Sequence, residues 1–324
     1  MYVTAPRDLR EDQIVKVTCQ CVNQSYRLVP KPKVVAIVRF CLARVSEKYR
    51  KAGKIELYSF CFMSSHYHLT LRDIGGCVSK FLQELNSLIS RNLNAIRGGS
   101  GTNFEGDPGI QTVLGAERVL ESMAYDEANP VKAGIVRTSE AWKGVTSASM
   151  SFGEEVVVER PDHGIWSKKR TLRWRSSSQR SGRAVYSRPS KVPTVATLRL
   201  DRPPFLTDLD DEALRARVAE KRRAMERKAA VARKGRPVLG MRRARAKHWN
   251  TLPAKGQEMF GRRPTFAAED PVTRRMLARI RRAFLRAYAE ALALFRSGVT
   301  DVAFPEGTVL MRQRFGVRVA PYGT

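Results

Sequence analysis

The hydrophobic period of the first 130 residues switches between that of a strand and that of a helix, and the order of the switches leaves few folds open. Residues 14–22 (Ile-Val-Lys-Val-Thr-Cys-Gln-Cys-Val) are rich in β-branched side chains and partly alternating, which predicts a strand. Between about 33 and 50, Val34, Ile37, Val38, Cys41, Leu42 and Val45 recur at helical spacing, with Arg39, Arg44 and Lys48 between them. Strands are expected at 55–63 and 66–72, joined tightly around Ser64 and Ser65. A helix follows over 78–96, with Phe81, Leu82, Leu85, Leu88, Ile89 and Leu93 on one side. After a Gly-rich break at 97–101 and an irregular stretch to Gly115 comes a third helix, 116–128. It is expected to stop at Pro130, because the residue before a proline disfavours α geometry. Residues 131–136 would add a last short strand. The order β-α-β-β-α suits an α+β class, a ferredoxin-like antiparallel sheet with helices on one face.

Charge divides the chain differently. Of its 59 Lys+Arg and 31 Asp+Glu, residues 1–150 carry 20 and 14, which leaves 39 and 17 for residues 151–324. Such an excess predicts a polyanionic partner, since each neutralised phosphate releases a condensed counterion. The hydrophobic share of 43% is enough for a folded core. No apolar run approaches the roughly 18 residues of a membrane span, and the first residues lack a signal pattern. Five cysteines without zinc-knuckle spacing read as reduced thiols of a cytosolic protein. An integral membrane protein, a disulfide scaffold and a zinc finger are therefore disfavoured.

Three regions are expected: 1–150 as the α+β domain, 151–205 as a basic linker-like segment, and 206–324 as a basic, mostly helical region. The linker-like composition comes from Arg173-Trp174-Arg175, the serines at 176–178 and Pro189, Pro193, Pro203 and Pro204. Beyond it, one helix opens with Asp210, Asp211 and Glu212 and runs to about Lys234. Another has Asp270 as N-cap and Pro271 at its first position, and stops near Gly298. Leu277, Ile280, Phe284, Tyr288, Ala291 and Phe295 form its apolar stripe, with arginines over the remaining surface. That surface suits contacts to phosphate rather than to bases.

Two of the chain's four histidines stand in His66-Tyr67-His68. On a strand, positions i and i+2 share a face, about 7 Å apart, so both imidazoles can converge on one ion while Tyr67 packs on the other face. Tyr125 and Asn129 stand at i and i+4 near a helix end, about 5–6 Å apart. An amide oxygen beside two imidazoles suits Mg²⁺ or Mn²⁺. A tyrosine one turn away could attack a phosphate held by that ion. A helix-end aromatic and a turn residue before a proline are the plain structural alternatives.

Together, Met63-Ser64-Ser65-His66-Tyr67-His68-Leu69 and Tyr125-x-x-x-Asn129-Pro130-Val131-Lys132-Ala133-Gly134 resemble the single-tyrosine HUH transposases, in particular the REP-associated tyrosine transposases. The resemblance covers about residues 13–145 and stops short of the basic C-terminal half; Ser65 stands where the family often has asparagine. It implies His66, His68 and Asn129 as metal ligands and Tyr125 as the nucleophile. It also implies cleavage and rejoining of hairpin-bearing single-stranded DNA through a 5′-phosphotyrosine, in DNA transposition or REP-type element processing. A cytoplasmic, nucleoid-associated bacterial protein follows from the same resemblance, with monomer and homodimer both open. A catalytically inactive or domesticated DNA-binding protein is the alternative.

Overall fold

The computed structural model describes residues 6–167, 192–253 and 265–321. Its centre is a mixed α/β arrangement on a mainly antiparallel sheet. Strands β1 (Gln13–Gln20), β2 (Ile55–Phe62), β3 (His66–Asp73), β4 (Gly109–Leu114) and β7 (Phe266–Ala268) lie in the order β2-β3-β1-β4-β7. Only β4 and β7 run parallel, with Thr112 opposite Phe266.

Helices α1 (Pro32–Lys51) and α2 (Val78–Arg97) form where the helical period predicts them, and their apolar faces are buried. Val15, Val17 and Cys19 of β1 and Tyr67 of β3 point to that side. Asn86 of α2 ties the layers together, accepting from the Tyr67 hydroxyl at 2.7 Å and donating to Cys19 Sγ at 3.3 Å. Burying a Leu or Phe of this kind stabilises by about 1.5–3 kcal/mol each. Gly98, left-handed at φ 70°, ends α2 by donating to the Asn94 carbonyl.

Helix α3 (Ala116–Lys132) packs on the opposite face of the sheet, so helices cover both faces rather than one. The physical reason lies in the strands. Lys16, Thr18, His68 and Thr70 face away from α1 and α2, and this polar surface accepts the polar residues of α3.

The structure also corrects the end of this helix. It passes through Pro130 to Lys132, and 131–136 form no strand. Proline removes the N–H that the Asp126 carbonyl would accept. The Asn129 side-chain amide lies 3.4 Å from that carbonyl and donates to the Tyr125 carbonyl at 2.8 Å, so a side chain takes over the interrupted ladder. The fourth strand of the sheet is instead β4, within the stretch expected to be irregular.

Later residues return to this core. β5 (Glu155–Glu159) and β6 (Val195–Arg199) pair antiparallel, and β6 lies on α1, where Glu47 accepts from the Thr197 N–H. Glu269 caps α3 by accepting from the Glu117 N–H at 2.7 Å. Helix α4 (Asp211–Ala232) packs along α3, with the Asp210 carboxylate accepting from the Ala213 N–H. After α5 (Met241–Ala246) comes α6 (Pro271–Arg296), capped by Asp270 as its sequence predicts. The stripe of α6 packs at Phe284, Tyr288, Ala291 and Phe295, while Arg274, Arg275, Arg279, Arg282 and Arg286 are exposed. Arg173-Trp174-Arg175, the serines at 176–178 and Pro189 lie outside the described residues. Among the described residues no helix is long and apolar enough to cross a membrane.

Candidate active site

Strand β3 begins at His66, immediately after the Ser64–Ser65 turn. The alternation therefore puts His66 and His68 on the α3 side and buries Tyr67 on the other. The two imidazole centroids are 4.9 Å apart, edge to face. Each ring is held by a hydroxyl at Nδ1: Thr18 Oγ1 lies 3.0 Å from His68, and Ser65 Oγ lies 3.1 Å from His66. A tautomer with the proton on Nδ1 donates to these hydroxyls and leaves Nε2 as the lone-pair nitrogen in both rings. Thr18 stands opposite His68 in the β1–β3 register.

Burial keeps both imidazoles neutral. It pushes His66 down to about 4. His68 falls further, through burial first and then the charges of His66, Lys16 and Lys132. Neutral imidazole is the form that ligates a cation.

Tyr125 comes from α3, its ring centroid 5.8 Å from that of His68. Two ammonium groups lie over its ring, Lys16 Nζ at 3.6 Å and Lys132 Nζ at 3.4 Å from the centroid. Among the described residues no group hydrogen-bonds the Tyr125 hydroxyl. Burial, then the neighbouring Asp126, raises its pKa, so the resting side chain is a phenol. Asn129 spends its amide N–H₂ on the Tyr125 carbonyl, and its oxygen is the atom left for a cation.

Below Tyr125 sits Asp126, fully buried, accepting from Ser59 Oγ at 2.8 Å and Thr70 Oγ1 at 2.6 Å. Its other oxygen has only the Lys16 ammonium, at 3.4 Å. Desolvation dominates the pair, raising Asp126 and lowering Lys16. The sequence reading missed Lys16, Thr18, Asp126 and Lys132. Lys16 alternates with apolar residues along β1, the pattern of a solvent-facing lysine, and its proximity to α3 appears only in the packed structure.

His66, His68 and Tyr125 are thus brought together, with Asn129 one helical turn from Tyr125. Among the described residues no group of three His, Cys, Asp or Glu could hold a metal. A cation here would take two imidazoles and one amide oxygen, and the free Nε2 atoms and neutral rings fit that donor set. His66→Ala or His68→Ala is expected to weaken Mn²⁺ binding at least about tenfold in calorimetry, with a smaller loss for Asn129→Ala. Unchanged affinity in both histidine variants would place the cation elsewhere.

The desolvated histidines also set an acid limit. Between pH 6.5 and about 4 the unfolded chain takes up a proton at position 66 that the folded chain refuses. Stability therefore falls as pH falls through that window. The melting temperature of the metal-free protein should drop on acidification, and less steeply in His66→Gln; identical pH profiles for the two proteins would contradict the desolvation of His66.

No family model matches this chain, and no curated protein matches it. Among solved structures, that of a REP-associated tyrosine transposase bound to a REP hairpin is similar to it. That likeness has 13% identity and a TM-score of 0.34, over 45% of this chain and 81% of the other. At that level of likeness, the functional reading rests on the site itself.

Proposed function

We propose that this chain is a single-strand DNA transesterase of the tyrosine HUH type, built on a ferredoxin-like sheet of β1–β4, acting in DNA transposition or REP-type element processing. The observation that carries this reading is Tyr125. It is a half-buried phenol with no hydrogen-bond partner among the described residues, set edge to face against His68 under two ammonium groups.

Tyr125 Oη attacks the phosphorus of a phosphodiester, the P–O3′ bond breaks, and the products are a 5′-phosphotyrosine and a free 3′-hydroxyl. The phenolic proton leaves Oη and the released 3′ oxygen gains one, so the step needs no other reactant. Bond energy is kept in the phosphotyrosine, and a 3′-hydroxyl from another end reverses the step and joins strands. Lys16 and Lys132 offset the negative charge that develops on Oη and on the phosphate oxygens. Lys132 is lowered by burial and by the charge of Lys16, and an anion beside the two lysines relieves that repulsion. A Mg²⁺ or Mn²⁺ ion held by His66, His68 and Asn129 would supply Lewis-acid polarisation of a non-bridging oxygen.

The experiment is incubation of the full chain with hairpin-bearing single-stranded DNA and Mg²⁺ or Mn²⁺. A covalent protein–DNA adduct on a denaturing gel is the expected result. Binding without any adduct would favour an inactive or domesticated DNA-binding protein.

A further inference from the structure

A concave site lies where α1 begins and α2 ends, linked to the candidate site through the Ser64–Ser65 turn. The segment between β1 and α1, the end of α2 and the chain around Trp249 enclose a cavity of about 550 Å³, walled by Val29, Pro32, Val34, Ile96, Arg97 and Trp249. Trp249 is half-buried, and two guanidinium groups lie over its ring, Arg27 at 4.6 Å and Arg97 at 5.0 Å. Arg97 is fixed by donating to the Arg27 carbonyl at 2.6 Å and to Asn103 Oδ1 at 3.3 Å. Arg27 donates only through Nε, to Ser25 Oγ at 2.9 Å, so its two terminal nitrogens have no partner among the described residues. Neither arginine meets a carboxylate among the described residues. Burial, and then the charge of Arg27, push Arg97 down to about 10. Among the described residues the pair lacks an anion.

Its position relates it to Tyr125. Leu28 N–H donates to the Ser64 carbonyl and Cys21 N–H to the Ser65 carbonyl, each at 2.8 Å. The Arg27 segment is therefore bonded to the turn that leads directly into His66. Trp249 is held there by Tyr26 N–H donating to the Thr251 carbonyl at 2.9 Å and by Arg245 donating to the Pro30 carbonyl at 3.1 Å.

We propose that this pocket takes one unpaired nucleotide of the DNA strand next to the scissile phosphate, its base on Trp249 and its phosphate on Arg27 and Arg97. The chemistry matches part by part. An aromatic face stacks on any base, apolar walls accept the base edge, and paired guanidiniums bind a phosphate through charge-assisted hydrogen bonds. A base in a duplex is already stacked and paired, so a concave site of this kind selects single strand. The exposed Lys31 and Lys33 on the rim extend the positive track. The proposal rests on the transesterase reading only for the identity of its ligand, single-stranded DNA.

The test uses the full chain, a hairpin oligonucleotide with a single-stranded flank, the same hairpin without the flank, and a free deoxynucleoside monophosphate. The flanked oligonucleotide should quench tryptophan emission in the wild type. Most of that quenching should vanish in Trp249→Phe, which keeps an aromatic ring in the pocket. Trp249→Ala should weaken binding of the flanked oligonucleotide about tenfold or more. Arg27→Gln should flatten the log–log salt slope by about 0.7, the value of one phosphate contact to single strand. Equal quenching in the wild type and Trp249→Phe overturns the pocket. Quenching by the free nucleotide at matched nucleotide concentration overturns the strand assignment. Absence of a covalent adduct, with the Trp249 effects present, removes the transesterase reading and leaves the pocket standing; an adduct with the Trp249 effects absent does the reverse.

Discussion

Tyr125→Phe is expected to form no covalent adduct with hairpin-bearing single-stranded DNA, while its affinity for that DNA changes by less than about threefold. The substitution removes one oxygen and little else. Phenylalanine retains the ring that packs 5.8 Å from His68 and receives the ammonium groups of Lys16 and Lys132. The hydroxyl donates to no described group, so its loss breaks no internal hydrogen bond and leaves no buried atom unsatisfied. Melting temperature should therefore hold steady. A denaturing gel reads the adduct and fluorescence anisotropy reads the binding. An adduct in the phenylalanine variant would remove Tyr125 as the nucleophile. Loss of binding together with cleavage would make Tyr125 a contact residue rather than a reacting one.

What could be read from the sequence follows from how local each signal is. His66 and His68 were legible because strand alternation is a two-residue rule, and the apolar Tyr67 between them is buried as that rule requires. Helices α1 and α2 were legible because twenty residues of helical period leave little ambiguity. β4 was not. It is six residues long, opens with Gly109 and buries only Val113, so it shows no alternation. It is a strand because β1 offers an unpaired edge, a fact about tertiary structure. β7 is shorter still, three residues more than 150 positions after β4. Pro130 misled for a related reason. The rule that proline ends helices assumes that the freed carbonyl finds no other donor, and here Asn129 supplies one.

The strongest interactions around the candidate nucleophile were the least legible, because their partners are 88 and 95 residues away. Glu127 looks like a surface carboxylate on an amphipathic helix, and Arg215 and Arg222 like two of many basic residues on α4. Glu127 and Arg222 are inside, and Arg215 is half-buried. Glu127 is completely buried and Arg222 is 5% exposed. Arg215 grips the carboxylate with two bonds, of 2.7 and 3.0 Å. Arg222 adds one at 3.2 Å and Ser147 Oγ another at 2.9 Å. Both arginines also donate to the Ala148 carbonyl, and Arg222 meets Glu140 as well. Part of the C-terminal excess of positive charge is therefore spent inside the protein, and only part of it is exposed.

Glu127→Ala is expected to lower stability by about 3–5 kcal/mol, because it removes the fully buried carboxylate that Arg215 and Arg222 share, leaving Arg215 without a carboxylate and Arg222 with the outer ones of Glu140 and Glu226. Chemical denaturation measures the loss, and a change below about 1 kcal/mol would mean that α4 does not depend on this network. Replacing all three charges at once, Glu127→Leu with Arg215→Leu and Arg222→Met, should recover most of the stability, since a buried ion network and a well-packed apolar one are often nearly equal in free energy. The consequence for chemistry follows from helix geometry. Glu127 lies two residues after Tyr125 and two before Asn129, about 200° around α3 from each, so it faces α4 while they face the sheet. Asp126 grips the sheet from the next position, through Ser59, Thr70 and Lys16. The helix bearing Tyr125 is thus clamped from both sides. Releasing the α4 side should slow adduct formation in Glu127→Ala even where the protein is still folded, with His66, His68, Tyr125 and Asn129 all unchanged. Removing the chain after about residue 165 takes away both arginines and leaves Glu127 as a lone carboxylate, so that truncation should lose adduct formation as well as DNA affinity. A truncated protein that forms the adduct at the full-length rate would show that α4 contributes nothing to the placement of Tyr125.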